Sequence, residues 1–325
     1  MLDMLNLCQF MEKINTAQEV RAACASVREL PLSVRYDEPM SAHTTFKIGG
    51  KADVWVRPGG EIFPVYAATL LKAAREEGIP VFTLGAGANL LVSDQGIRGI
   101  VLDTGGYSGI TDEENGAVRV LGGTSIDTLT SSLAARGLSG LEFLAGMPGS
   151  AAGAVWMNAR CYEKSVSDVL IETEILDENC RRQTVPFRAE DFAYKKSPFQ
   201  NRNVLIFSAR FAVRLREPSA IHEEIAACRR DRAAKGHYRF PSAGSAFKNN
   251  RAFGSPTGKI IDELGLCALS IGGAQVAPWH GNIIINTGNA TAADVKNLMD
   301  EVARRVKTER GLELESEIIF AGEWV

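Results

Sequence analysis

The chain has 325 residues, of which 45% are hydrophobic and 23% are charged. With about 150 residues per domain as a guide, this length predicts two or three domains. The composition is typical of a soluble globular protein. The formal net charge of −3 argues against a general nucleic-acid binder, so any anionic ligand must be held by particular cations or backbone amides.

The cysteines and histidines give no indication of a metal site. The six cysteines form no CxxC pair, and the four histidines lie far apart, without the spacing of zinc ligands. We therefore expect no bound metal and free thiols in a reducing compartment. The chain shows no signal-peptide pattern and no run approaching the roughly 18 apolar residues of a membrane span. These features predict a cytoplasmic protein without a membrane partner.

The first hundred residues predict a leader and then an α/β unit. Residues 9–28 are expected to form an exposed helix with a mixed polar face, and 33–50 an irregular stretch. Hydrophobic periodicity then predicts a strand at 52–56, a helix at 61–77, and strands at 81–84, 90–92 and 100–103. This order favours ligand contact at strand ends.

A second segment starts near residue 105. It is predicted to hold a strand at 117–121, a helix opened by a capping box of Thr124 and Asp127 and ended by Gly137, and strands at 172–176 and 204–215. Beyond it, the predicted elements are a charged helix at 220–235, a helix at 259–264, a strand at 282–286, a helix from Thr291 to Gly311, and one strand in the tail. We expect 217–312 to form a separate α/β domain.

Two glycine-rich loops are candidates for binding a diphosphate. Gly85-x-Gly87-x-Asn89 follows an apolar strand, but it matches neither a Rossmann fingerprint nor a P-loop. A structural turn accounts for it equally well. Pro148 to Gly153 is expected to open a helix whose first free N–H groups favour phosphate, although close helix packing would use the same residues. The chain has no GxGxxG, so a nicotinamide cofactor lacks a site of its own.

Three further polar groups carry no decisive pattern by themselves. Ser245 lies in a loop of small residues without an adjacent histidine, and it is not a hydrolase elbow. Glu315 and Glu317 would point to the same face if they were on a strand, and spacing does not choose between them. Tyr194 to Ser197 is a cationic patch that an exposed turn would explain.

Six segments carry a resemblance to a known family. They are PMSAHTTFKIGG (39–50), LGAGANLL (84–91), GLEFLAGMPG (140–149), AVWMNA (154–159), AGSAFKN (243–249) and IGGAQV (271–276). In this order and register the chain resembles the UDP-N-acetylenolpyruvoylglucosamine reductase family, from about residue 35 to the C-terminus. The interval between Ser197 and Ser245 is short, and so it resembles the subtype without an extra substrate loop.

The resemblance implies an α+β fold, with a two-lobed FAD-binding module of the vanillyl-alcohol-oxidase type and a C-terminal α/β substrate-binding domain. The expected divisions are a helical leader at 1–30, FAD-binding lobes at 31–104 and 105–216, a substrate-binding domain at 217–312, and a C-terminal catalytic strand at 313–325. The implied reaction is reduction of the enolpyruvyl group of UDP-N-acetylenolpyruvoylglucosamine to UDP-N-acetylmuramate, a step in peptidoglycan precursor synthesis. NADPH first reduces FAD and leaves, and the substrate then takes hydride from flavin N5 in the same cleft.

The resemblance also assigns residues. The FAD-binding residues would be Gly85, Ala86, Gly87, Ala88, Asn89, Leu90, Gly146, Pro148, Gly149, Ser150 and Gly153. Ser245 matches the family's proton donor, and the EIIFAG match selects Glu317 over Glu315 as the glutamate assisting at the substrate carboxylate. The residues implied in substrate binding are Tyr194, Asn249, Lys259 and Gln275.

Two positions depart from the family pattern. Lys195 stands where the family has an arginine, and lysine supplies a point charge instead of a planar bidentate fork. Three explanations are open. Lys195 takes the arginine's role with altered geometry, another cation such as Lys196 takes it, or the chain is impaired in catalysis. We favour the first. Arg160 lies where relatives have small residues, and contact with flavin or substrate phosphate is as plausible there as a surface position.

Other functions are compatible with parts of the pattern. A different flavin oxidase or dehydrogenase would explain the loops at 85–153 but not Ser245, Asn249 and Glu317. A non-catalytic flavin or nucleotide-sugar binding protein would be consistent with Lys195. A structural protein without a cofactor would leave both glycine-rich loops without a purpose beyond turns.

Overall fold

The computed structural model describes residues 4–23 and 31–324. Its α-helices are α1 Met4–Thr16, α2 Gln18–Ala23, α3 Phe63–Glu76, α4 Ile126–Ala135, α5 Ala151–Trp156, α6 Pro218–Ala234, α7 Thr257–Glu263 and α8 Ala292–Arg310. Its strands are β1 Leu32–Pro39, β2 Lys51–Pro58, β3 Val81–Leu84, β4 Leu90–Val92, β5 Ile97–Asp103, β6 Ile110–Glu113, β7 Ala117–Leu121, β8 Leu138–Ser139, β9 Arg160–Cys161, β10 Lys164–Ser165, β11 Leu170–Leu176, β12 Arg182–Pro186, β13 Leu205–Ala212, β14 Arg214–Leu215, β15 Ser242–Ser245, β16 Ser270–Ile271, β17 Ala274–Val276, β18 Ile283–Asn286 and β19 Ile319–Ala321.

The chain divides into two compact units. The first unit consists of Met1–Tyr36, Asp53–Ala86 and Gly99–Arg229, and the second of Asp37–Ala52, Gly87–Arg98 and Arg230–Val325. Two short segments from the first hundred residues therefore fold with the C-terminal third. The predicted mixture of helices and strands is confirmed, with both parallel and antiparallel pairing.

The first unit holds two main sheets. One has the strand order β1-β2-β5-β3, with β3 and β5 parallel, and most of its residues lie in this unit. The other is the five-stranded antiparallel sheet β12-β11-β13-β7-β6. The helices α4 and α5 pack against this second sheet through buried side chains such as Leu129 and Val155, which join Phe211 in one core. Burial of this apolar surface is the main stabilising term.

The segment predicted as one exposed helix at 9–28 is helical in its described residues, but it forms two helices, α1 and α2. The expectation of exposure is wrong, because four apolar side chains of α1 and Val20 of α2 are buried, whereas Leu5 is exposed. Leu7, Met11 and Ile14 join a core with Phe63 and Leu70 of α3. The apolar residues recur at helical spacing, which should have indicated a packed face. Residues 24–28 of that prediction lie outside the described residues.

Three local predictions in the first unit also need correction. The helix α4 is capped by Ser125, whose hydroxyl accepts from the Thr128 N–H, because the Thr124 hydroxyl is bonded to Gly109. The stretch predicted as irregular begins with the strand β1. The edge strand β12 was not predicted, and its largely exposed residues explain why no hydrophobic alternation marks it. The predicted strands at 81–84 and 117–121 are confirmed.

The second unit is built on the sheet β15-β18-β17-β16. The helix α8 buries Val295, Leu298 and Val302 in its core. Its predicted capping box of Thr291 and Asp294 is confirmed, and so is its end at Gly311. A parallel pair of β4 and β19 joins the segment 87–98 to the C-terminal tail. This pairing places the tail beside the loop that precedes β4.

Candidate active site

The two predicted diphosphate loops approach each other in the first unit. Gly85 directly follows β3, and Ser150 caps the N-terminus of α5. A Cβ added at Gly85 would lie 2.7 Å from the Ser150 hydroxyl oxygen, so glycine permits the close approach. Gly146 and Gly149 have φ values of 75° and 156°, in the region that favours glycine. The local backbone thus has the small residues that a bound diphosphate requires.

The N–H groups that open α5 are not free, contrary to our expectation. The Ala151 N–H donates to the Thr124 carbonyl and the Ala152 N–H to the Gly122 carbonyl, both at 2.9 Å. The Gly153 N–H donates to the Ser150 hydroxyl at 3.3 Å. A phosphate held here must therefore use loop donors outside this first turn.

The rest of the first loop belongs to the second unit and has structural contacts there. Gly87 has φ 61°, and a Cβ at this position would lie 2.1 Å from the His43 carbonyl oxygen. The Asn89 side-chain amide donates to the Glu317 carbonyl at 2.8 Å, and the Ile319 N–H donates to the Asn89 carbonyl at 3.0 Å. Asn89 therefore holds the backbone of the predicted catalytic glutamate.

Lys195 lies at the tip of a two-residue turn in the first unit. Ala193 and Lys196 exchange backbone hydrogen bonds across this turn, at 3.2 and 3.0 Å. Lys195 has φ 55°, a left-handed conformation that is uncommon for residues other than glycine. Tyr194 is exposed, whereas Ser197 is buried and donates to the Trp156 carbonyl at 2.7 Å. The patch is therefore a turn that the Ser197 side chain connects to the end of α5.

Backbone pairing brings the segments of Ser245 and Glu317 together in the second unit. The Glu317 N–H donates to the Ala246 carbonyl at 2.9 Å, and Phe247 and Ser316 form an antiparallel bridge. Glu317 is 8% exposed, whereas Glu315 is exposed and pairs with Lys248. The two glutamates therefore do not share a face, and the buried one is Glu317.

Two asparagines brace the segment that follows Ser245. The Asn282 amide accepts from the Phe247 N–H at 2.9 Å and donates to the Phe247 carbonyl at 2.8 Å. The Asn249 carboxamide oxygen accepts from the Thr257 N–H at 2.9 Å. This bond commits the oxygen of Asn249 and leaves its NH₂ group as the end that can serve a ligand.

A cavity of about 310 Å³ lies in the second unit beside these residues. It is lined by Ser245, Asn249, Pro256, Gly258, Lys259, Asp262, Trp279, His280, Gly281 and Asn282. Its hydroxyl, amide and ammonium groups can donate to a polar anionic ligand, whereas the carboxylate of Asp262 can only accept. Three of the predicted residues, Ser245, Asn249 and Lys259, thus line one cavity.

An aromatic cluster stands behind one wall of the cavity. Arg239 lies 4.9 Å from the Trp279 ring centre, and Phe240 stacks on the same indole at 6.0 Å. Burial lowers the pKa of His237 to about 4 and also lowers the pKa of His280. Both imidazoles are therefore neutral near pH 7, and the His280 Nδ1 accepts from the Asn282 N–H at 3.1 Å.

Two other predicted positions lie elsewhere. Gln275 is not among the residues that line this cavity, and its amide bonds Ser270 at 2.9 Å within the β16–β17 pair. Arg160 is bonded to Ser165 and Glu163 within its own hairpin. In the ranges 4–23 and 31–324 no cluster of three potential metal ligands occurs. No helix among those residues has both the length and the apolar character needed to cross a membrane.

Comparison with known proteins identifies the family. The C-terminal domain of UDP-N-acetylenolpyruvoylglucosamine reductase matches residues 236–321, and an FAD-binding domain matches residues 67–185. The reductases of Borreliella burgdorferi and Treponema denticola are 40% and 41% identical to the chain, covering 87% and 90% of it and 93% and 94% of their own lengths. The crystal structure of the Thermus caldophilus reductase superposes with a TM-score of 0.72 and 32% identity, covering 90% of this chain and 99% of that one.

The chain belongs to the UDP-N-acetylenolpyruvoylglucosamine reductase family. The expected fold, an FAD-binding module followed by the family's C-terminal domain, is confirmed by the two domain matches. The loops around Gly85 and Ser150 lie within the matched FAD-binding domain. Their small residues and close approach fit FAD as the diphosphate ligand, although the first turn of α5 contributes no free N–H group.

Sequence reasoning missed several residues of the site. Asp262, Trp279, His280 and Asn282 line the cavity but were not assigned a role. The run His280-Gly281-Asn282 directly precedes a buried strand, and polar residues in the loop before that strand were the available signal. Asn158 and Gln200 were missed as well. Their amides donate to the carbonyls of Ala193 and Lys195, and such bonds to distant backbone leave no pattern in the sequence.

Proposed function

We propose that the chain is an FAD-containing, NADPH-dependent oxidoreductase that reduces UDP-N-acetylenolpyruvoylglucosamine to UDP-N-acetylmuramate for peptidoglycan synthesis. The observation that carries the proposal is the backbone pairing of the Ser245 and Glu317 segments beside a polar cavity. Relatives that bear this reductase name match about nine-tenths of the chain. The five-part division into leader, two FAD-binding lobes, substrate-binding domain and catalytic strand is part of the proposal.

The residues proposed to hold FAD are those of the two glycine-rich loops. They are Gly85, Ala86, Gly87, Ala88, Asn89, Leu90, Gly146, Pro148, Gly149, Ser150 and Gly153. FAD, when bound, supplies the hydride that it has received from NADPH. Cys8, Cys180 and Cys267 take part in no disulfide, which supports a reducing, cytoplasmic setting.

The protein's own groups handle the charge and the proton of the second half-reaction. Hydride addition to the terminal alkene carbon moves negative charge toward the carboxylate, and the neighbouring carbon must then receive a proton. Ser245 is proposed to donate this proton from its hydroxyl. Glu317, buried and fixed through both its N–H and its carbonyl, assists at the carboxylate end.

The remaining polar residues are proposed to bind the substrate. Lys195 supplies a positive charge to the developing anion, in place of the family's arginine. Asn249 offers its NH₂ group and Lys259 its ammonium from the cavity wall. Tyr194 and Gln275 are proposed contacts on resemblance alone. In the balanced reaction, the enolpyruvyl group takes a hydride that originates from NADPH and one proton. The products are the lactyl group and NADP⁺.

The test is NADPH oxidation by the purified, FAD-loaded protein with and without UDP-N-acetylenolpyruvoylglucosamine. Oxidation that depends on this substrate, with equal formation of UDP-N-acetylmuramate, is the expected result. Flavin reduction without substrate-dependent turnover would instead support a flavin or nucleotide-sugar binding protein or another oxidoreductase. A protein that neither binds FAD nor oxidises NADPH would overturn the proposal.

A further inference from the structure

The turn that carries Lys195 has a conformation that its own sequence does not favour. A lysine at φ 55° lacks the freedom of glycine, and such residues persist when their surroundings hold them in place. The two backbone bonds between Ala193 and Lys196 close the turn but do not bond the Lys195 carbonyl. A bond to this carbonyl from outside the turn would therefore help to hold the residue in place.

Gln200 supplies such a contact. Its side-chain NH₂ group donates to the Lys195 carbonyl at 3.1 Å and to the Trp156 carbonyl at 3.0 Å. Because one NH₂ group carries two hydrogens, a single amide can make both bonds. Gln200 thus joins the Lys195 backbone to the last residue of α5.

Two neighbours reinforce the same connection. Ser197 donates to the Trp156 carbonyl at 2.7 Å, and the Asn158 amide donates to the Ala193 carbonyl at 2.9 Å. The Asn158 oxygen accepts from the Ser167 N–H at 3.0 Å, so this buried side chain is itself held. Asn158 thus bonds a residue before Lys195, and Ser197 is a residue after it, whereas Gln200 bonds the carbonyl of Lys195 directly.

We propose that Gln200 is a positioning residue that sets the backbone, and hence the ammonium, of Lys195 for the substrate-reducing half-reaction. The inference rests on the proposed function. Gln200 acts through Lys195 and needs no contact with substrate or flavin. Flavin reduction by NADPH does not build charge on the enolpyruvyl carboxylate, so loss of Gln200 should impair the second half-reaction selectively.

The test compares the two half-reactions in Gln200→Met, which keeps the chain length but removes both donors. Gln183→Met is the matched control, since Gln183 lies in β12 and its amide bonds Asp177. Anaerobic single-turnover measurements should show that Gln200→Met is reduced by NADPH at nearly the wild-type rate. Its reoxidation by UDP-N-acetylenolpyruvoylglucosamine should be about 10- to 100-fold slower than in the control.

A second variant keeps the test decisive if Gln200→Met folds poorly. Gln200→Glu is isosteric, and its carboxylate faces two carbonyl oxygens until it is protonated and can donate once. Its reoxidation rate, relative to wild type, should therefore rise as the pH falls. Reoxidation unchanged in both variants, or equal slowing of both half-reactions, would overturn the inference. Wild-type protein that is not reoxidised by the substrate would instead refute the proposed function.

Discussion

The proposed reacting groups are held by different means in the two units. In the second unit, Ser245 and Glu317 lie on segments joined by backbone hydrogen bonds and a β-bridge. In the first unit, side chains connect the Lys195 turn to the end of α5 and to the residues just after it. These side chains are Asn158, Ser197 and Gln200. Backbone bonds survive most side-chain substitutions, whereas an amide clamp does not.

This difference determines where substitutions should be felt. Around Ser245 and Glu317, replacing a neighbour should change stability more than chemistry, because the backbone pairing remains. Around Lys195, replacing a neighbour should change the position of the cation. The arginine-to-lysine departure thus lies in the region whose geometry depends most on side chains.

The largest effect is expected from Ser245→Ala. Removal of a positioned proton donor costs about 10²–10⁴-fold, so substrate-dependent flavin reoxidation should slow by that factor. Reduction by NADPH should be unaffected. Ser242→Ala, on the same strand, is the control and should keep wild-type reoxidation. Rapid reoxidation in Ser245→Ala would remove the serine from the proton-transfer step.

Lys195 allows charge and backbone geometry to be separated. Lys195→Gly removes the ammonium and accepts φ 55° without strain, so the protein should stay folded. Its reoxidation should fall by about 10²–10³-fold, as on removal of an anion-stabilising donor. Lys195→Arg should retain or raise turnover.

Lys196→Ala is the control for the alternative that the neighbouring cation does the work. If Lys196→Ala loses activity while Lys195→Ala keeps it, the assignment moves to Lys196. Steady-state turnover together with thermal unfolding of the four variants distinguishes these outcomes.

Thr257→Val tests the backbone-held region. This variant loses the bond from the buried Thr257 hydroxyl to the Lys248 carbonyl, which should lower the free energy of unfolding by about 1–3 kcal/mol. Reoxidation by substrate should change little, because the Glu317 N–H bond to Ala246 remains. Chemical unfolding combined with single-turnover kinetics checks both parts. A large kinetic loss at unchanged stability would contradict the comparison.

The smallest effect concerns pH. Burial lowers the pKa of His237 to about 4, with smaller contributions from Arg232, His280 and Lys235. Between this value and the ordinary histidine pKa of about 6.5, His237 is protonated in the unfolded chain but neutral in the folded protein. The free energy of unfolding is therefore unaffected by His237 above pH 6.5 and falls as the pH drops toward 4. His237→Gln should flatten that part of the unfolding profile, and an unchanged slope would refute the cause.

Much of the fold was predictable from local patterns. The helices α6 and α8 have clear start and stop signals in the sequence. The capping box at Thr291 involves only residues within one helical turn, so it can be predicted locally. The prediction that the N-terminal segment is exposed was wrong, because burial of Leu7 and Met11 depends on distant partners in α3. Membership of 37–52 and 87–98 in the second unit is likewise non-local, and no linker composition marks it.

The candidate site was less accessible from the residues alone. Spacing did not single out Ser245, Lys195 or Glu317; family resemblance did. The structure adds that Glu317 is buried and Glu315 exposed, which follows from pairing with residues 246–248. Gln200 and Asn158 act through hydrogen bonds to carbonyls of other segments, and such bonds appear only once the chain is folded.

The most direct test of the account is anaerobic reoxidation of the NADPH-reduced, FAD-loaded protein by UDP-N-acetylenolpyruvoylglucosamine. The account predicts that one equivalent of substrate restores oxidised flavin and yields one equivalent of UDP-N-acetylmuramate, quickly in wild type and slowly in Ser245→Ala. Flavin that stays reduced in the wild type until oxygen is admitted would contradict it. Equal rates of reoxidation by the substrate in the wild type and in Ser245→Ala would contradict it as well.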